Sequence, residues 1–449
     1  MQQRPSARAS VLETVVLGVT VLIPTLAQGA ILRRPRVVRL AARFDTNRSA
    51  HRTLARLRRR HGAGPVSVAV PGRRVLLLLS PEDARRMFTA TPATLTPTAR
   101  EKARGLRHFE PDGVLVSAGE VRAERRAFNE AVLDWGAPAH RLFPALTPRI
   151  RAEAQALLDL HRGSGRPLDW DDFSAAFWRI IRRVVLGDAA RDDHRITDLL
   201  AALRADAGWL SLRRPKERTR EAFLAGVRAY VDRAEPDSLA ALVAGTPCTE
   251  GAEPAGQIPY WLFAYDAAAI ATYCALALLA SHPEHAERVH TEIDGAEPDR
   301  SATADALPLL RACVLESLRL WPTSPAILRE TTAETTWHNG TTTPAGTGVV
   351  FYSSFFHRDA RHLPYADQFE PDAWLDGRNQ DNWALAPFGR GPAQCPAQDL
   401  ALFTAATFLA ALLRDHRALL LLPRRPLVPP APLPRTIDHT ALRFALTPK

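Results

Sequence analysis

Along most of the chain apolar residues recur every third or fourth position. From Pro81 onward this spacing dominates and predicts amphipathic helices over Glu120–Leu133, Pro148–Leu160 and Asp198–Ala207. Two runs break it: Val66–Val70 and Arg74–Leu79, each bounded by Gly or Pro, read as strands. The proline-rich stretch Leu422–Pro434 predicts turns and short strands. Two stretches are apolar on all sides. Thr14–Leu32 holds 19 residues without a charge, and Tyr260–Ala280 carries one charge, Asp266. After Asp266 only 14 apolar or small positions remain before the stop Ser281–His282–Pro283, too few for a membrane span, so a core helix is predicted. A carboxylate inside such a helix costs several kcal/mol unless it is paired. Asp266 therefore reads either as half of a buried salt bridge or as a functional group lining a cavity. No repeat or composition shift divides residues 46–449. They are expected to form one large domain, mainly α with small β-sheets, preceded by a basic and apolar segment over 1–45.

Composition narrows the class. At 449 residues, with 46% hydrophobic and 24% charged positions, the chain can bury a large core and wholesale disorder is excluded. Four cysteines (Cys248, Cys274, Cys313 and Cys395) form no CxxC pair or zinc spacing, which suits a reduced, cytoplasmic protein. The net charge of +10 is concentrated at one end: residues 1–60 carry thirteen arginines against Glu13 and Asp45, and the remainder is close to neutral. A body that grips nucleic acid is thereby excluded. Arg33, Arg34, Arg36 and Arg39 follow the apolar stretch 14–32 directly. That stretch reads as a transmembrane helix, a packed or interfacial helix, or a signal peptide, the last weakened by the poor cleavage site Gln28–Gly29–Ala30. With only three lysines, the arginine- and alanine-heavy usage suggests a GC-rich bacterial genome. His282, His285 and His290 read as one surface helix rather than a zinc site.

Two motifs carry chemistry. In Phe388–Gly389–Arg390–Gly391–Pro392–Ala393–Gln394–Cys395–Pro396 a glycine- and proline-rich loop brings a cysteine to the start of a helix, Ala397–Leu413. Unpaired N–H groups there favour thiolate over thiol, suiting a soft metal ligand or a nucleophile; no histidine stands nearby to act as base. In Glu316–Ser317–Leu318–Arg319 a glutamate and an arginine three apart share a helical face and can pair.

The apolar helix with its internal acid, the ExxR, the elements Pro344–Ala345–Gly346–Thr347 and Phe369–Glu370–Pro371–Asp372–Ala373–Trp374, and the cysteine loop, in this order, resemble the cytochrome P-450 superfamily. The resemblance covers about residues 50–420. It implies a haem-thiolate monooxygenase binding haem b, with Cys395 as the axial ligand of the iron, Phe388 packed near its sulfur and Gly391 turning the loop beneath the porphyrin. Glu316 and Arg319 become a structural pair. Haem propionates want bidentate arginines. The family pattern of a glycine, an aromatic or histidine and then an arginine falls on Gly119, Arg122 and Arg126, and Arg329 matches a further propionate arginine. The reaction would insert one atom of dioxygen into a small, largely apolar organic substrate, with electrons from a separate ferredoxin- or flavodoxin-type partner. No flavin, NAD or iron–sulfur signature is present in the chain.

Four departures from the family pattern are visible. Ala393 replaces the propionate residue two before the cysteine, Ala397 the glycine two after it, and Ala373 the arginine that usually completes the ExxR network. In the long helix the usual acid–alcohol pair reads Asp266–Ala267, so the hydroxyl that supports proton relay during oxygen activation is missing; Thr272 lies about 140° away around the helix. A substrate hydroxyl or water could supply the relay. The alternatives are a peroxide-driven hydroxylase and a non-catalytic haem-binding homologue. Substrate recognition is expected before Gly119 and around residues 193–230, with Trp209, Leu210 and Leu212 at a channel mouth. Location is expected to be cytoplasmic, with membrane contact through residues 14–32.

Overall fold

The computed structural model describes residues 4–29, 33–70, 72–207, 216–296, 307–422 and 427–449. Helices dominate, and eleven strands occur among the described residues. They are β1 Arg4–Pro5, β2 Ala7–Arg8, β3 Val66–Val70, β4 Arg73–Leu77, β5 Leu95–Thr96, β6 Ala326–Thr331, β7 Thr335–Thr336, β8 Thr341–Thr343, β9 Gly348–Tyr352, β10 His416–Leu422 and β11 Arg443–Pro448. The main sheet has the order β2-β3-β4-β9-β6-β5, a small sheet has β1-β8-β7, and β10 pairs with β11 as a hairpin. The mainly helical class with small sheets is thus present. Trp209, Leu210 and Leu212 lie outside the described residues.

The helix Pro254–Ser281 runs through the middle of the helical half, and 17 of its residues, including Leu262, Tyr273, Leu276 and Leu278, are buried. It has no polar face because Pro308–Leu320, Trp170–Leu186 and Gln398–Leu413 pack around it. The predicted helices appear with shifted ends: Gly119–Val132, Phe143–His161 and His194–Ala207. The second shift is the largest. Pro148 looks like a first-turn proline, but Pro144 holds that place, and Pro148 sits inside the helix.

The sheet half has its own core, in which Leu76, Leu78, Phe88, Val349 and Phe351 meet Leu54 and Leu57 of the helix Thr46–His61. The chain start joins this half. β1 and β2 pair in parallel with β8 and β3. Ser10 then caps a helix, accepting from Glu13 N–H at 3.2 Å while Glu13 accepts from Ser10 N–H at 2.7 Å. That helix continues through a wide turn, Gly18–Leu22, to Gln28. One side is strapped to the body by Glu13 on His61 (3.1 Å) and Thr20 on Thr53 (3.0 Å). On the other side Val11, Leu12, Val15, Val19 and Ile23 are 56–83% exposed.

Candidate functional site

The cysteine loop is a chain of backbone turns. Cys395 N–H donates to the Phe388 carbonyl at 2.9 Å, Gln394 N–H to Gly391 (2.9 Å) and Gly389 N–H to Ala386 (3.1 Å). Gly391 has φ +67°, and a Cβ on it would lie 2.0 Å from the Phe88 carbonyl oxygen, so no other residue fits there. Phe388 is partly buried against the helical core. Arg390 stiffens the loop from outside, donating to the carbonyls of Leu385 (2.7 Å), Gln380 (3.1 Å) and Asn379 (3.2 Å). The following helix, Gln398–Leu413, starts one residue later than predicted, with Ala397 as its cap. One expectation reverses. Burial pushes the Cys395 thiol up, and the Ala397 N–H and the Arg126 charge, which act the other way, do not overcome it. Without a metal the sulfur holds its proton.

Glu316 and Arg319 are both fully buried and form two contacts, at 2.6 and 2.8 Å. Arg319 also donates to the carbonyls of Gln368 (2.7 Å), His357 (3.0 Å), Ala366 (3.0 Å) and Tyr365 (3.3 Å). Glu316 accepts from Glu370 N–H (2.9 Å) and from Trp374 Nε1 (2.8 Å). The arginine that Ala373 replaces is therefore made good by an indole one residue on and by backbone groups. Every lone pair and N–H of this buried pair faces a partner, which is what makes it tolerable in the core.

The cations expected near a haem edge divide into two sets. Arg126 braces the cysteine loop, donating from Nη1 to the Gln394 carbonyl (2.6 Å) and from Nε to Glu130 (2.6 Å). Arg122 and Arg329 are each 5% exposed and form no ion pair among the described residues, and Arg122 Nε has no partner. Burial lowers both to about 10, and each is pushed further by a neighbouring arginine, Arg126 for Arg122 and Arg122 for Arg329. Lys102, on the helix Arg100–Leu106, joins them: burial and then Arg329 bring it down to about 7. Sequence reasoning missed Lys102, whose signal was its rarity, as one of three lysines, just ahead of Gly119. Three interior cations repel one another, and the carboxyls that offset them are Glu110 beside Lys102, itself pushed up by burial, and Glu130 beside Arg122, which Arg126 already engages, so the site is short of negative charge. Two propionates would relieve it, and the cysteine loop presents the matching sulfur, so these residues fit a haem.

Asp266 is paired. Arg204, 3% exposed on the helix His194–Ala207, donates to its carboxylate at 2.7 Å and lies over the Phe263 ring, 5.1 Å from its centre. The salt-bridge reading of Asp266 is thus met, and an ion pair of this kind leaves a role in proton delivery open to the carboxylate. Ala267 is half-buried. Thr272 is fully buried and donates to the Ala268 carbonyl at 2.7 Å, so its hydroxyl is committed to its own helix.

Residues 262–431 match the cytochrome P450 family model. A stretch of 140 residues is 39% identical to cyclooctat-9-en-7-ol 5-monooxygenase of Streptomyces melanosporofaciens, covering 30% of either chain. Another of 157 residues is 33% identical to human cytochrome P450 4V2, covering 33% of this chain and 30% of that one. These matches thus span under a third of the relatives' own length. Among solved structures, a retinoic-acid-bound cyanobacterial CYP120A1 superposes with a TM-score of 0.71 at 20% identity, over 88% of this chain and 94% of that one.

Proposed function

We propose, from the premise that the chain belongs to the cytochrome P450 superfamily, that it is a haem-thiolate monooxygenase acting on a small, largely apolar organic substrate. The observation that carries this reading is the pairing of a rigid loop ending in Cys395 with the anion-deficient cluster of Arg122, Arg329 and Lys102. When bound, haem b would supply oxygen activation, and the Cys395 sulfur is the group that would hold its iron. The chain's own part is positional. Arg122, Arg329 and Lys102 hold the propionates, with Arg126 tying the cysteine loop to the helix Gly119–Val132. Gly391 allows the close turn, Phe388 shields the sulfur, and Glu316–Arg319 fixes the segment leading to the loop. Electrons come from a separate ferredoxin- or flavodoxin-type partner. Residues 46–449 form the catalytic domain in this reading. The test is the carbon monoxide spectrum of the reduced protein: a red-shifted thiolate band is expected, and its absence overturns the assignment.

Proton delivery follows from Asp266 and Ala267. With no alcohol at 267 and Asp266 held by Arg204, a substrate hydroxyl or an ordered water completes the relay. Ala267→Thr adds two heavy atoms at a half-buried position and is expected to cost under about 1 kcal/mol. With hydroxyl-lacking substrates it should raise the ratio of product formed to reductant consumed, since a positioned donor contributes about 10²–10⁴ in rate. Asp266→Ala should lower that ratio for every substrate. Faster turnover with peroxide than with reductant and oxygen, together with an unchanged ratio in both variants, favours the peroxide-driven reading.

The helix Val11–Gln28 is proposed to lie in a membrane surface, not to cross it. Its one side is tied to the body and its other side is apolar, and Leu40 and Phe44 in the following segment are exposed as well. The flanking arginines suit anionic headgroups. Replacing Val15 and Val19 by Asp removes about 3 kcal/mol or more of buried apolar surface, so binding to anionic vesicles should weaken at least about 100-fold in a sedimentation assay. Unchanged binding would refute the assignment.

A further inference from the structure

Where the chain start meets the chain end lies a cavity of about 60 Å³, whose walls include Gln28, Arg33, Ser354, Arg435, Thr436 and His439. The two ends are stitched together beside it. Asn47 donates from its backbone N–H to the Thr436 hydroxyl (3.0 Å) and from Nδ2 to the Arg435 carbonyl (3.0 Å). Tyr352 donates to Asn47 Oδ1 at 3.2 Å and stands 3.3 Å from the Thr25 hydroxyl. The residues assigned above to the haem, Cys395, Arg122, Arg329 and Lys102, are not on these walls.

The cavity is short of negative charge. Arg33 is half-buried, and burial pushes its guanidinium down. It donates to the Thr323 carbonyl at 2.9 Å and forms no ion pair among the described residues. The carboxylate whose field it feels, Asp266, is held by Arg204 at 2.7 Å. Arg435 is 8% exposed and meets Asp367 at 3.1 Å, but Arg358 shares that carboxylate at 2.8 Å, and Nη1 of Arg435 is buried without a partner. Asp438, next to His439, stands 3.6 Å from Arg39. His439 is neutral at pH 7, because burial and then Arg33 lower it to about 4. Five guanidiniums (Arg33, Arg435, Arg358, Arg204 and Arg39) thus stand against three carboxylates (Asp266, Asp367 and Asp438), an excess of two positive charges. Such charge is costly to enclose, and a buried N–H without an acceptor adds to the cost.

An anion would relieve both, and the walls indicate its form. At about 10–15 Å³ per water-sized sphere the volume suits about five heavy atoms, as in a tetrahedral oxyanion. Guanidinium forks match phosphate oxygens. Thr436 accepts from Asn47, which leaves its own O–H to donate, and Ser354 adds a second hydroxyl. We propose that Arg33 and Arg435 bind a phosphate group in this cavity and so lock the chain start onto the chain end. Two sources share this chemistry: free phosphate, and the head of a lipid such as phosphatidic acid. The second is open because Gln28, on the wall, closes the helix assigned above to a membrane surface.

Isothermal titration calorimetry of the haem-loaded full chain with inorganic phosphate, at constant ionic strength, tests the site; bound haem keeps phosphate from Arg122, Arg329 and Lys102. Saturable binding of one phosphate per chain is expected, with chloride at least about 10-fold weaker. Arg33→Gln removes a surplus charge and keeps an N–H for the Thr323 carbonyl. It should therefore keep its thermal midpoint in phosphate-free buffer, yet bind phosphate about 10- to 100-fold more weakly, the range expected for hydrogen bonds to a charged group. Arg435→Gln should weaken binding likewise, and Arg36→Gln, on the exposed surface, not at all. Flotation with phosphatidylcholine vesicles carrying phosphatidic acid or, at equal charge, phosphatidylglycerol separates the two sources. A preference for phosphatidic acid that Arg33→Gln removes assigns the lipid head; calorimetric binding without that preference assigns the free ion. The absence of both overturns the proposal, as does chloride binding as tightly as phosphate or phosphate affinity unchanged in Arg33→Gln. An Arg33→Gln midpoint that falls without phosphate marks a purely structural role and overturns it too.

Discussion

Cys395→Ser is expected to abolish the thiolate spectrum and all monooxygenase activity while leaving the fold intact. The loop is held by main-chain bonds, Cys395 N–H to Phe388 and Gln394 N–H to Gly391, and by Arg390 and Arg126, none of which uses the sulfur. Serine keeps that geometry. It does not keep the chemistry: a cysteine thiol ionises near pH 8.5 in water, and although burial raises Cys395 further, a metal readily displaces its proton. An aliphatic hydroxyl offers no comparable anion at neutral pH. The measurements are the carbon monoxide spectrum of the reduced variant and its denaturation midpoint. An unshifted midpoint with no thiolate band is the expected pair, and a retained band would refute the ligand assignment.

Arg319→Ala is expected to have the largest effect on stability and to prevent stable haem incorporation. It leaves Glu316 as a fully buried carboxylate without its counter-charge and strips the carbonyls of Gln368, His357, Ala366 and Tyr365 of their shared donor. Breaking a buried pair by removing one partner costs about 3–5 kcal/mol. That is a large part of the about 5–15 kcal/mol that keeps a typical domain folded. Urea unfolding and the haem content of the purified protein check the prediction. Arg319→Lys keeps the charge but cannot serve all these acceptors, so it should fall between wild type and the alanine variant. A folded, haem-loaded Arg319→Ala protein with only a catalytic defect would contradict the structural role.

The features legible in the sequence are those whose partners lie a few residues apart. Strand Val66–Val70 stands as read, because alternation and a flanking proline are local signals. Glu316 and Arg319 meet because three residues of helix bring them together, and the turn preceding Cys395 forms because Gly391 alone tolerates both its φ and the approach of Phe88. Helix ends drifted where two signals competed, as with Pro144 and Pro148.

Contacts across long separations were a different matter. The motif pattern pointed Arg126 to a propionate but gave no sign that it also donates to the Gln394 carbonyl, 268 residues away, where the helix Gly119–Val132 meets the cysteine loop. That Asp266 has a counter-charge, and that it is Arg204 of the helix His194–Ala207, was likewise invisible in the sequence. Lys102 and Arg33 are single basic residues with no motif around them, and Arg435 gives no sign of which of its nitrogens stays unpaired. From sequence alone follow the helical class, the cysteine loop, the ExxR pair and the missing alcohol at Ala267, because backbone preference and short-range geometry decide them. Which charges face one another inside the molecule was decided only by tertiary structure, because a buried charge is stabilised by whatever the folded chain brings within a few ångströms of it.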